Sequence, residues 1–476
     1  MKKIMASLKR SDSKNLIELI VVLLTIGLFL AYKLTFLKFR LGDGNAYFYM
    51  SQQILKGDLP YRDFLLADPP LLPYLLALIK LFIGSKIILF QALPAILEAA
   101  AAFIFYLLVK QKKYFLKAAA PAIYLGSFLI FSTSDFVSGL HFVNLFILLA
   151  LLTTKKKPIL SGIFWAMASL IKLYVIPGLF GWLLYQFFIN KDLGETKKII
   201  IGYMGTIGTA LLPFLILSFE KVISQIIIHQ FNRPAGLDKT HVLSFFLKKD
   251  WLVLSISTVG LFFSKKWKII LPYICWLLFF LIFKDLYYLY LGVLAPWISW
   301  SIFELFGLLK KKWKKQDLGK NLSIITLVFL LLNSILTINH YHQEFRLRDI
   351  ISQIEEVVTF IKKQKPNYPL YGKHESTPLI ALLADKKLFN NHIDTNAQLF
   401  SSGVLNKDTI SQQAVENGIY FINQVANIPQ NTNIDAGYEE LFNEKLFEKY
   451  CQRLQIFDGS GRQLFTDLAV YRCDKQ

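Results

Sequence analysis

Long apolar runs recur along the chain up to about residue 338, and short polar or lysine-rich segments separate them. Most runs hold roughly 15 to 22 residues, enough for a helix rising about 1.5 Å per residue to cross about 30 Å of hydrocarbon. The pattern therefore predicts a polytopic α-helical membrane protein with about 11 transmembrane helices. The expected spans are residues 16–36, 87–109, 118–134, 139–154, 158–175, 177–190, 199–219, 251–264, 269–283, 286–308 and 322–338.

Two of the polar segments between these spans are long. Residues 37–70 form a predicted first external loop, and residues 220–250 form a second one. Residues 70–83 are apolar but too short to span a bilayer, and Gly84-Ser85-Lys86 interrupts the run. We therefore expect 70–83 to form a helix that lies in, or re-enters, the outer membrane interface.

The composition turns polar after the last predicted span. In residues 344–364, apolar side chains recur at helical spacing, which predicts a helix. Beyond it, short runs such as 368–371 and 418–422 are typical of strands separated by turn residues. We therefore expect a transmembrane module in residues 1–338 and a C-terminal α/β domain in residues 339–476.

Lysine clusters indicate which side of the membrane each loop faces. Clusters such as 110–117, 155–157 and 310–315 lie at the ends of apolar runs, on the predicted cytoplasmic side. The N-terminus is therefore expected in the cytoplasm and the C-terminal domain outside it, in a multi-pass protein of the cell membrane. The net charge of +20 also suggests nucleic-acid binding as an alternative. We expect no such partner, because the lysines do not form one continuous basic surface.

Two of the three cysteines lie close together in the predicted C-terminal domain. Between Cys451 and Cys473, the segment Asp458-Gly459-Ser460-Gly461 is typical of a tight turn joining two strands. A hairpin of this kind brings the two cysteines together, and a disulfide is compatible with a location outside the cytoplasm. The sequence alone leaves open whether the bond forms.

Charged residues inside the predicted spans are few. Glu98, Lys172 and Glu304 do not form a paired set of carboxylates of the kind that serves a proton or sodium relay. Lys172 lies near the end of its span, where snorkelling to the interface explains it as well as a function does. His340 and His342 have no cysteine or carboxylate cluster beside them and make a poor metal site. No motif demands a cofactor, and a divalent metal is not indicated.

The first external loop carries the most informative polar residues. Asp43 lies one residue before a predicted helix start, where a carboxylate commonly caps free backbone N–H groups. An aspartate with an ordinary pKa of about 3.9 is also ionised at neutral pH, so it is able to act as a general base. Asp68 is a second carboxylate of this loop, although a position before Pro69 also suits a turn. A structural and a functional interpretation are open for both residues.

The order of residues in this loop resembles a known family. Asp43 is followed by Tyr47, then by the segment Gly57-x-x-Pro-Tyr-Arg-Asp63, and then by Pro69-Pro70-Leu71. This pattern resembles the first external loop of GT-C glycosyltransferases. It is most similar to glycosyltransferase family 39 and its bacterial relatives, which include protein O-mannosyltransferases and lipid A aminoarabinose transferases. Further matches lie at residues 161–172, 287–296 and 378–403.

One departure from the family pattern affects the expected chemistry. Many members carry an acidic pair at the start of the loop helix, whereas here Gly44 follows Asp43. Any role that requires the second carboxylate, including one in metal binding, is therefore in doubt for this chain.

The resemblance implies a membrane glycosyltransferase, a hexosyl- or pentosyltransferase that takes its sugar from a polyprenyl-phosphate-linked donor. The acceptor would meet this donor at the extracytoplasmic face, with Asp43 as the general base. Arg62, Lys172 and Arg233 are candidates for the donor phosphate, because guanidinium and ammonium groups bind phosphate well. The other candidates for substrate contact are Tyr47, Tyr61, Asp63, Asp68 and Tyr288.

Two other classes of function compete with this interpretation. A transporter or flippase of lipid-linked sugars would need functional charges deep in its spans, and the sequence has few of them. A scaffold protein of the membrane would tolerate substitution throughout its first external loop. The sugar and the acceptor (protein, lipid or glycan) stay open, and so do metal dependence and the role of the C-terminal domain.

Overall fold

The structure is a computed structural model of the chain. It describes residues 2–37, 39–84, 86–110, 117–135, 137–312, 316–345, 351–425, 438–457 and 467–475. The chain divides into two compact units. Unit 1 comprises Met1–Leu37, Ala92–Gly208 and Gly236–Arg346, and unit 2 comprises Lys38–Gln91, Thr209–Ala235 and Leu347–Gln476. The predicted first external loop thus belongs to the same unit as the C-terminal segment.

The α-helices in chain order are α1 Lys2–Thr35, α2 Gly44–Lys56, α3 Leu71–Ile83, α4 Ile87–Lys110, α5 Ala120–Leu125, α6 Phe128–Thr133, α7 Leu140–Thr153, α8 Pro158–Ser169, α9 Ile176–Leu184, α10 Leu193–Ile223, α11 His229–Asn232, α12 Lys239–Lys249, α13 Trp251–Ser264, α14 Trp267–Ile282, α15 Ala295–Lys312, α16 Gln316–Phe345, α17 Ile351–Lys363, α18 Thr377–Ala384, α19 Ala397–Ser401, α20 Lys407–Asn417 and α21 Glu444–Tyr450. The strands are β1 Leu370–Gly372, β2 Ile419–Val425, β3 Cys451–Phe457 and β4 Asp467–Cys473.

Within the described residues, five helical segments are long and apolar enough to cross a membrane. They are Leu16–Thr35, Ile87–Val109, Leu193–Asn232, Tyr288–Leu309 and Ile324–Glu344. Shorter apolar helices lie at Leu71–Ile83, Leu140–Thr153, Pro158–Ser169, Leu173–Ile189, Trp251–Ser264 and Trp267–Ile282. The helical character agrees with the sequence, and the expected number of about 11 spans stays a prediction.

The span predicted at residues 118–134 is instead two short helices, α5 and α6, which are separated at Gly126 and Ser127. The carboxylate of Asp250 explains the break. It accepts hydrogen bonds from the backbone N–H groups of Phe128 at 2.6 Å and Leu129 at 3.0 Å, and from the Ser127 hydroxyl at 3.0 Å. A helix can start inside this apolar run because a distant side chain satisfies its first amides.

The second external loop predicted at residues 220–250 contains helical structure for most of its length. The helical run that begins at Leu193 is kinked at Ser218, whose φ of −157° and ψ of 50° are not helical. The kink lies next to the predicted end of the span at residue 219. Beyond it, helical structure resumes through a π-helical turn, Ser224–Ile228, and ends at Asn232, and α12 occupies Lys239–Lys249.

Ionisable side chains are buried within unit 1. Glu98 of α4 accepts hydrogen bonds from the Tyr124 hydroxyl at 2.6 Å and the Asn144 amide at 3.2 Å, and it lies 2.8 Å from Nδ1 of His141. All four side chains are almost fully buried. Buried carboxylates are costly unless they are paired and hydrogen-bonded, and this network satisfies that requirement.

Unit 2 contains a four-stranded sheet with the order β1-β2-β4-β3 among its described residues. β1 pairs with β2 in parallel, and the other two pairs are antiparallel. The strands expected at 368–371 and 418–422 correspond to β1 and β2, and the helix expected at 344–364 corresponds to α17. One face of the sheet packs its aromatic side chains into a core with α20 and α21.

The two C-terminal strands carry a disulfide. Cys451 and Cys473 are register partners in β3 and β4, and their sulfur atoms are bonded. The predicted hairpin and the pairing of its cysteines are therefore confirmed, while the predicted turn at 458–461 lies outside the described residues.

Candidate active site

Asp43 occupies the N-cap position of α2, yet its side chain does not cap that helix. Its backbone is helical, with φ −53° and ψ −28°, and the carboxylate accepts none of the described first-turn amides. N-cap residues that accept such bonds usually have extended backbone angles. The structural interpretation of Asp43 as a helix cap is therefore wrong.

The Asp43 carboxylate instead contacts a histidine from the C-terminal segment. Nε2 of His374 lies 3.2 Å from Oδ1 of Asp43. The His374 side chain is 9% exposed and that of Asp43 is 60% exposed. One end of this pair is thus held inside the unit, and the other end presents a carboxylate at its surface.

Two hydrogen bonds of Asn45 hold the turn that carries His374. The buried Asn45 amide donates to the carbonyl of Glu375 at 2.6 Å and to that of Arg40 at 3.3 Å. Farther along the same helix, the hydroxyl of Tyr49 accepts from the backbone N–H of Leu388 at 3.1 Å. The first half of α2 is therefore joined to the C-terminal segment on either side of α18, and one of these bonds lies next to His374.

Negative charge surrounds His374. Burial acts against its charged form, but the charge of Glu375, the hydrogen bond to Asp43 and the charge of Asp394 outweigh it and raise the pKa of His374 to about 10. At neutral pH the ring is therefore an imidazolium. Charge-assisted hydrogen bonds of this kind are stronger than neutral ones.

Asp394 is a further carboxylate of this cluster. Thr395 donates to the carbonyl of Gly372 at 2.7 Å, which places Asp394 beside the end of β1. Burial raises the pKa of Asp394 above its ordinary value, the charge of His374 opposes that rise, and the charge of Asp43 adds to it. Asp394 is therefore a third carboxylate, after Glu375 and Asp43, whose charge acts on His374.

Tyr47, Tyr61 and Asp68 form one network within the loop that was singled out from the sequence. The Tyr47 hydroxyl donates to Oδ2 of Asp68 at 2.5 Å, and the Tyr61 hydroxyl donates to the Asp68 carbonyl at 2.8 Å. Burial, and after it the charge of Asp68, raises the pKa of both tyrosines well above the ordinary value. Both therefore remain protonated donors at neutral pH.

The Tyr61 side chain is 1% exposed, and its ring lies against Phe214. Its φ of 68° is unusual for a residue with a Cβ, and its backbone N–H bond to the Phe64 carbonyl supports it there. The ring thus makes its contacts with protein and shapes the loop. This burial favours a structural role over the expected contact with a sugar.

Arg62 and Asp63 form a local pair. Nη2 of Arg62 lies 2.7 Å from Oδ2 of Asp63, and the same oxygen accepts the backbone N–H of Leu59 at 2.8 Å. The Arg62 side chain is half exposed, whereas the Asp63 carboxylate is engaged in the turn. These contacts keep Asp63 within the loop and leave Arg62 at the surface of the unit.

Arg233 and His229 lie at the end of the long helix and contact the segment around α19. Nε of Arg233 donates to the Gln398 side chain at 2.5 Å, and Nδ1 of His229 lies 3.0 Å from the Ser402 hydroxyl. Gln230 donates to the Ala67 carbonyl at 3.1 Å, one residue before Asp68. The helix extension that the sequence missed therefore brings Arg233 into unit 2.

Lys172 and Tyr288 belong to unit 1. Lys172 is half-buried and precedes the 3₁₀ turn Leu173–Val175, and Tyr288 begins the 3₁₀ segment Tyr288–Leu294 with its ring against Tyr287 and Phe245. The other candidate residues all belong to unit 2: Asp43, Tyr47, Tyr61, Arg62, Asp63, Asp68 and Arg233.

His374 and Asp394 were missed as site residues by the sequence analysis. Both lie in turns that follow a strand or a short helix of the C-terminal segment, and 331 positions separate His374 from Asp43. The only signal was the match at 378–403, which includes Asp394. Among the described residues, no group of three or more His, Cys, Asp or Glu side chains has an arrangement suited to a metal ion.

Two solved structures share this fold over nearly the whole chain. ArnT from Cupriavidus metallidurans bound to undecaprenyl phosphate is 11% identical, with a TM-score of 0.63 over 97% of this chain and 98% of that one. The same protein in the apo state is 12% identical, with a TM-score of 0.57 and the same coverage. The chain has the GT-C glycosyltransferase fold. The resemblance seen in the first loop is therefore confirmed at the level of the fold.

The mycobacterial arabinofuranosyltransferase AftD, solved by cryo-electron microscopy, is a second GT-C neighbour. It is 12% identical, with a TM-score of 0.53 over 96% of this chain and 40% of AftD. No protein-family model and no curated protein sequence matches the chain. At such low identity, structural similarity establishes the fold, and the activity has to be argued from the residues of this chain.

Proposed function

We propose that this protein is a membrane glycosyltransferase that transfers a sugar from a polyprenyl-phosphate-linked donor to an acceptor at the extracytoplasmic face. The GT-C fold supports the reaction class, and the ArnT structure with undecaprenyl phosphate supports the chemical class of the donor. Helices long and apolar enough to span a membrane would hold the lipid tail of such a donor in hydrocarbon.

In the proposed reaction, an acceptor hydroxyl attacks the anomeric carbon of the donor sugar. The new glycosidic C–O bond forms as the bond between that carbon and the phosphate oxygen breaks. Asp43 takes the hydroxyl proton, and the polyprenyl phosphate leaves with the electron pair of the broken bond. No oxidant or other co-reactant is required.

The observation that carries the proposal is the state of the Asp43 carboxylate. It is 60% exposed, it does not cap α2, and one of its oxygens is held by His374. A general base has to lie within hydrogen-bonding reach of the proton it removes, and an exposed carboxylate at a helix start meets that need. Asp68, by contrast, is bound by Tyr47 and is better placed to shape the site.

The phosphate of the lipid-linked sugar requires cationic groups or neutral hydrogen-bond donors near the base. Arg62, Lys172 and Arg233 remain our candidates, and the Gln398 and Gln230 side chains orient the guanidinium of Arg233. A fixed guanidinium is suited to bidentate phosphate contact. The identity of the sugar and of the acceptor is not part of the proposal.

Translocation of a lipid-linked sugar is the second candidate. The buried pairs Glu98–His141 and Lys33–Asp135 favour it, since a translocation protein uses charges inside its spans. However, the Glu98 carboxylate is hydrogen-bonded by Tyr124 and Asn144 as well as by His141, without a substrate. We therefore rank transfer first. Translocation would move donor across a bilayer without forming a glycosidic bond.

The direct test incubates the purified protein in lipid nanodiscs with a panel of polyprenyl-phosphate sugars and acceptors, and detects products by mass spectrometry. We expect Asp43→Asn to lower the transfer rate by about 100-fold to 10,000-fold, the usual contribution of a general base. Asp58→Asn makes the same change in the same loop and should leave the rate unchanged. Full activity of a correctly inserted Asp43→Asn protein would exclude Asp43 as the base.

A further inference from the structure

We propose that His374 is a positioning residue for the transfer reaction, which holds the Asp43 carboxylate in one orientation through a charged hydrogen bond. This inference rests on the proposed function, because His374 acts only through Asp43. It assigns the C-terminal segment a part in the chemistry of the site, a role that the sequence left open.

The two ring nitrogens of His374 both face carboxylates. Nε2 lies 3.2 Å from Oδ1 of Asp43, and Nδ1 lies 3.6 Å from Oε2 of Glu375. A neutral imidazole has a single N–H and presents a lone pair at its other nitrogen, which a carboxylate would repel. An imidazolium presents an N–H to each side. The geometry therefore selects the charged ring.

The turn that carries the ring is fixed from several directions. The backbone N–H groups of Ser376 and Thr377 donate to the Lys373 carbonyl at 3.2 and 2.9 Å, which closes the turn before α18. Asn45 binds the Glu375 carbonyl, and α18 packs against α2. His374 is therefore a rigid support for a side chain that is itself largely exposed.

Three carboxylates raise the pKa of His374. Glu375 and Asp394 come from the C-terminal segment and Asp43 comes from the start of α2, while Asp68 acts on Asp394 from the loop before α3. The same elements also carry the buried Arg40, whose carbonyl binds Asn45, and Lys373, which pairs with Glu440. With a pKa raised to about 10, His374 keeps its positive charge throughout the neutral range and loses it only as the pH rises toward 10.

The bond to Oδ1 restricts the Asp43 carboxylate, and because the group is planar it also directs the second oxygen. A displacement of about 1 Å in a reacting group can lower a rate by about 100-fold, so restricting the base has a direct kinetic value.

The test compares His374→Gln, which keeps a hydrogen-bond donor but removes the charge, with His374→Ala, which removes both. His392→Gln is the matched control. His392 lies in the same unit, against Tyr371 and Phe389, and burial lowers its pKa to about 4, so it is neutral near pH 7. We expect kcat to fall about 10-fold in His374→Gln and about 100-fold in His374→Ala, with the donor KM little changed.

The pH profile separates positioning from a loss of folding. Removing an opposite charge next to a carboxylate disfavours its ionised form. In His374→Gln, the acid limb of kcat/KM should therefore move to higher pH by about one unit or more. The His392→Gln profile should match that of the unaltered protein, and a general loss of folded enzyme would lower the profile without moving it.

A double-mutant cycle completes the test. If His374 acts through Asp43, then Asp43→Asn combined with His374→Gln will be no slower than Asp43→Asn alone. If the rate losses of the two single variants multiply in the double variant, the inference is overturned. A His374→Ala enzyme with unchanged kcat and pH profile would overturn it as well. Either result would leave the proposed function standing. A fully active Asp43→Asn enzyme would instead overturn the proposed function itself.

Discussion

The hydroxyl of Tyr47 donates a hydrogen bond of 2.5 Å to the carboxylate of Asp68, across 21 positions of the chain. Tyr47 is 6% exposed and lies on α2, one turn after Asp43, while Asp68 lies just before α3. The bond therefore joins the two helices that flank the loop, and it keeps Asp68 out of solvent on one side. Asp68 is accordingly a support for the candidate site.

Tyr47→Phe should destabilise the protein by about 2 kcal/mol, because it removes a buried hydrogen bond to a charged acceptor. Asp68→Asn keeps an acceptor for the tyrosine and should cost less. Thermal unfolding in detergent measures both variants. Equal stability of Tyr47→Phe and the unaltered protein would show that the bond contributes nothing to the fold.

In a His374→Ala background, which already lacks the bond between the two side chains, Asp43→Ala should leave the unfolding temperature nearly unchanged, because the Asp43 side chain does not cap α2. Asn406 is the matched comparison in the same unit, since its side chain accepts the backbone N–H of Thr409 at 3.0 Å. Removing a true cap typically costs about 1 kcal/mol, so in that background Asn406→Ala should lower the unfolding temperature more than Asp43→Ala does. The reverse order would restore the capping interpretation of Asp43.

Thiol counting should detect the disulfide. The chain has three cysteines, and Cys275 is the free one. In denaturant, a maleimide reagent should modify one thiol without reductant and three after reduction. The double variant Cys451→Ser with Cys473→Ser should lose about 3 kcal/mol, the usual effect for a bridge across this separation. Three reactive thiols without reductant would contradict the bond.

His141→Leu should destabilise unit 1 by about 3 kcal/mol, since it leaves the Glu98 carboxylate without its ring partner in a buried site. Adding Glu98→Gln to that variant should recover part of the loss, because the neutral amide still accepts from Tyr124. Folded yield on size-exclusion chromatography provides the measurement. A single variant as stable as the unaltered protein would argue that this pair is retained for a function such as translocation.

The sequence was most informative where structure depends on near neighbours. Apolar runs predicted helices because a helix satisfies all its backbone groups within itself, and this holds for any long apolar segment in a membrane. The strands of the C-terminal segment and the hairpin of its two cysteines followed from local alternation and turn residues. The loop pattern from Asp43 to Leu71 was specific enough to indicate the GT-C fold.

Local patterns misplaced several boundaries, and distant contacts explain one of them clearly. The helix α6 begins at Phe128 because Asp250, more than 100 positions away, accepts its first amides. Helical structure resumes beyond the kink at Ser218, so the sequence located this break but not the helix that follows it. The contact between Asp250 and Phe128 lies outside any local stretch of sequence around the start of α6.

Some features of the candidate site could be predicted from the sequence, and others depend on the tertiary structure. The sequence by itself determined the helical membrane character of the chain, the polar loop before α3 and the choice of Asp43, because residue type and spacing carry those properties. Only the tertiary structure decided that Asp43 does not cap its helix, that Tyr61 is buried, and that His374 supplies the charge beside Asp43. The reason is physical. The state of a carboxylate depends on the charges and donors within a few ångströms, and folding brings these from positions that no local pattern connects.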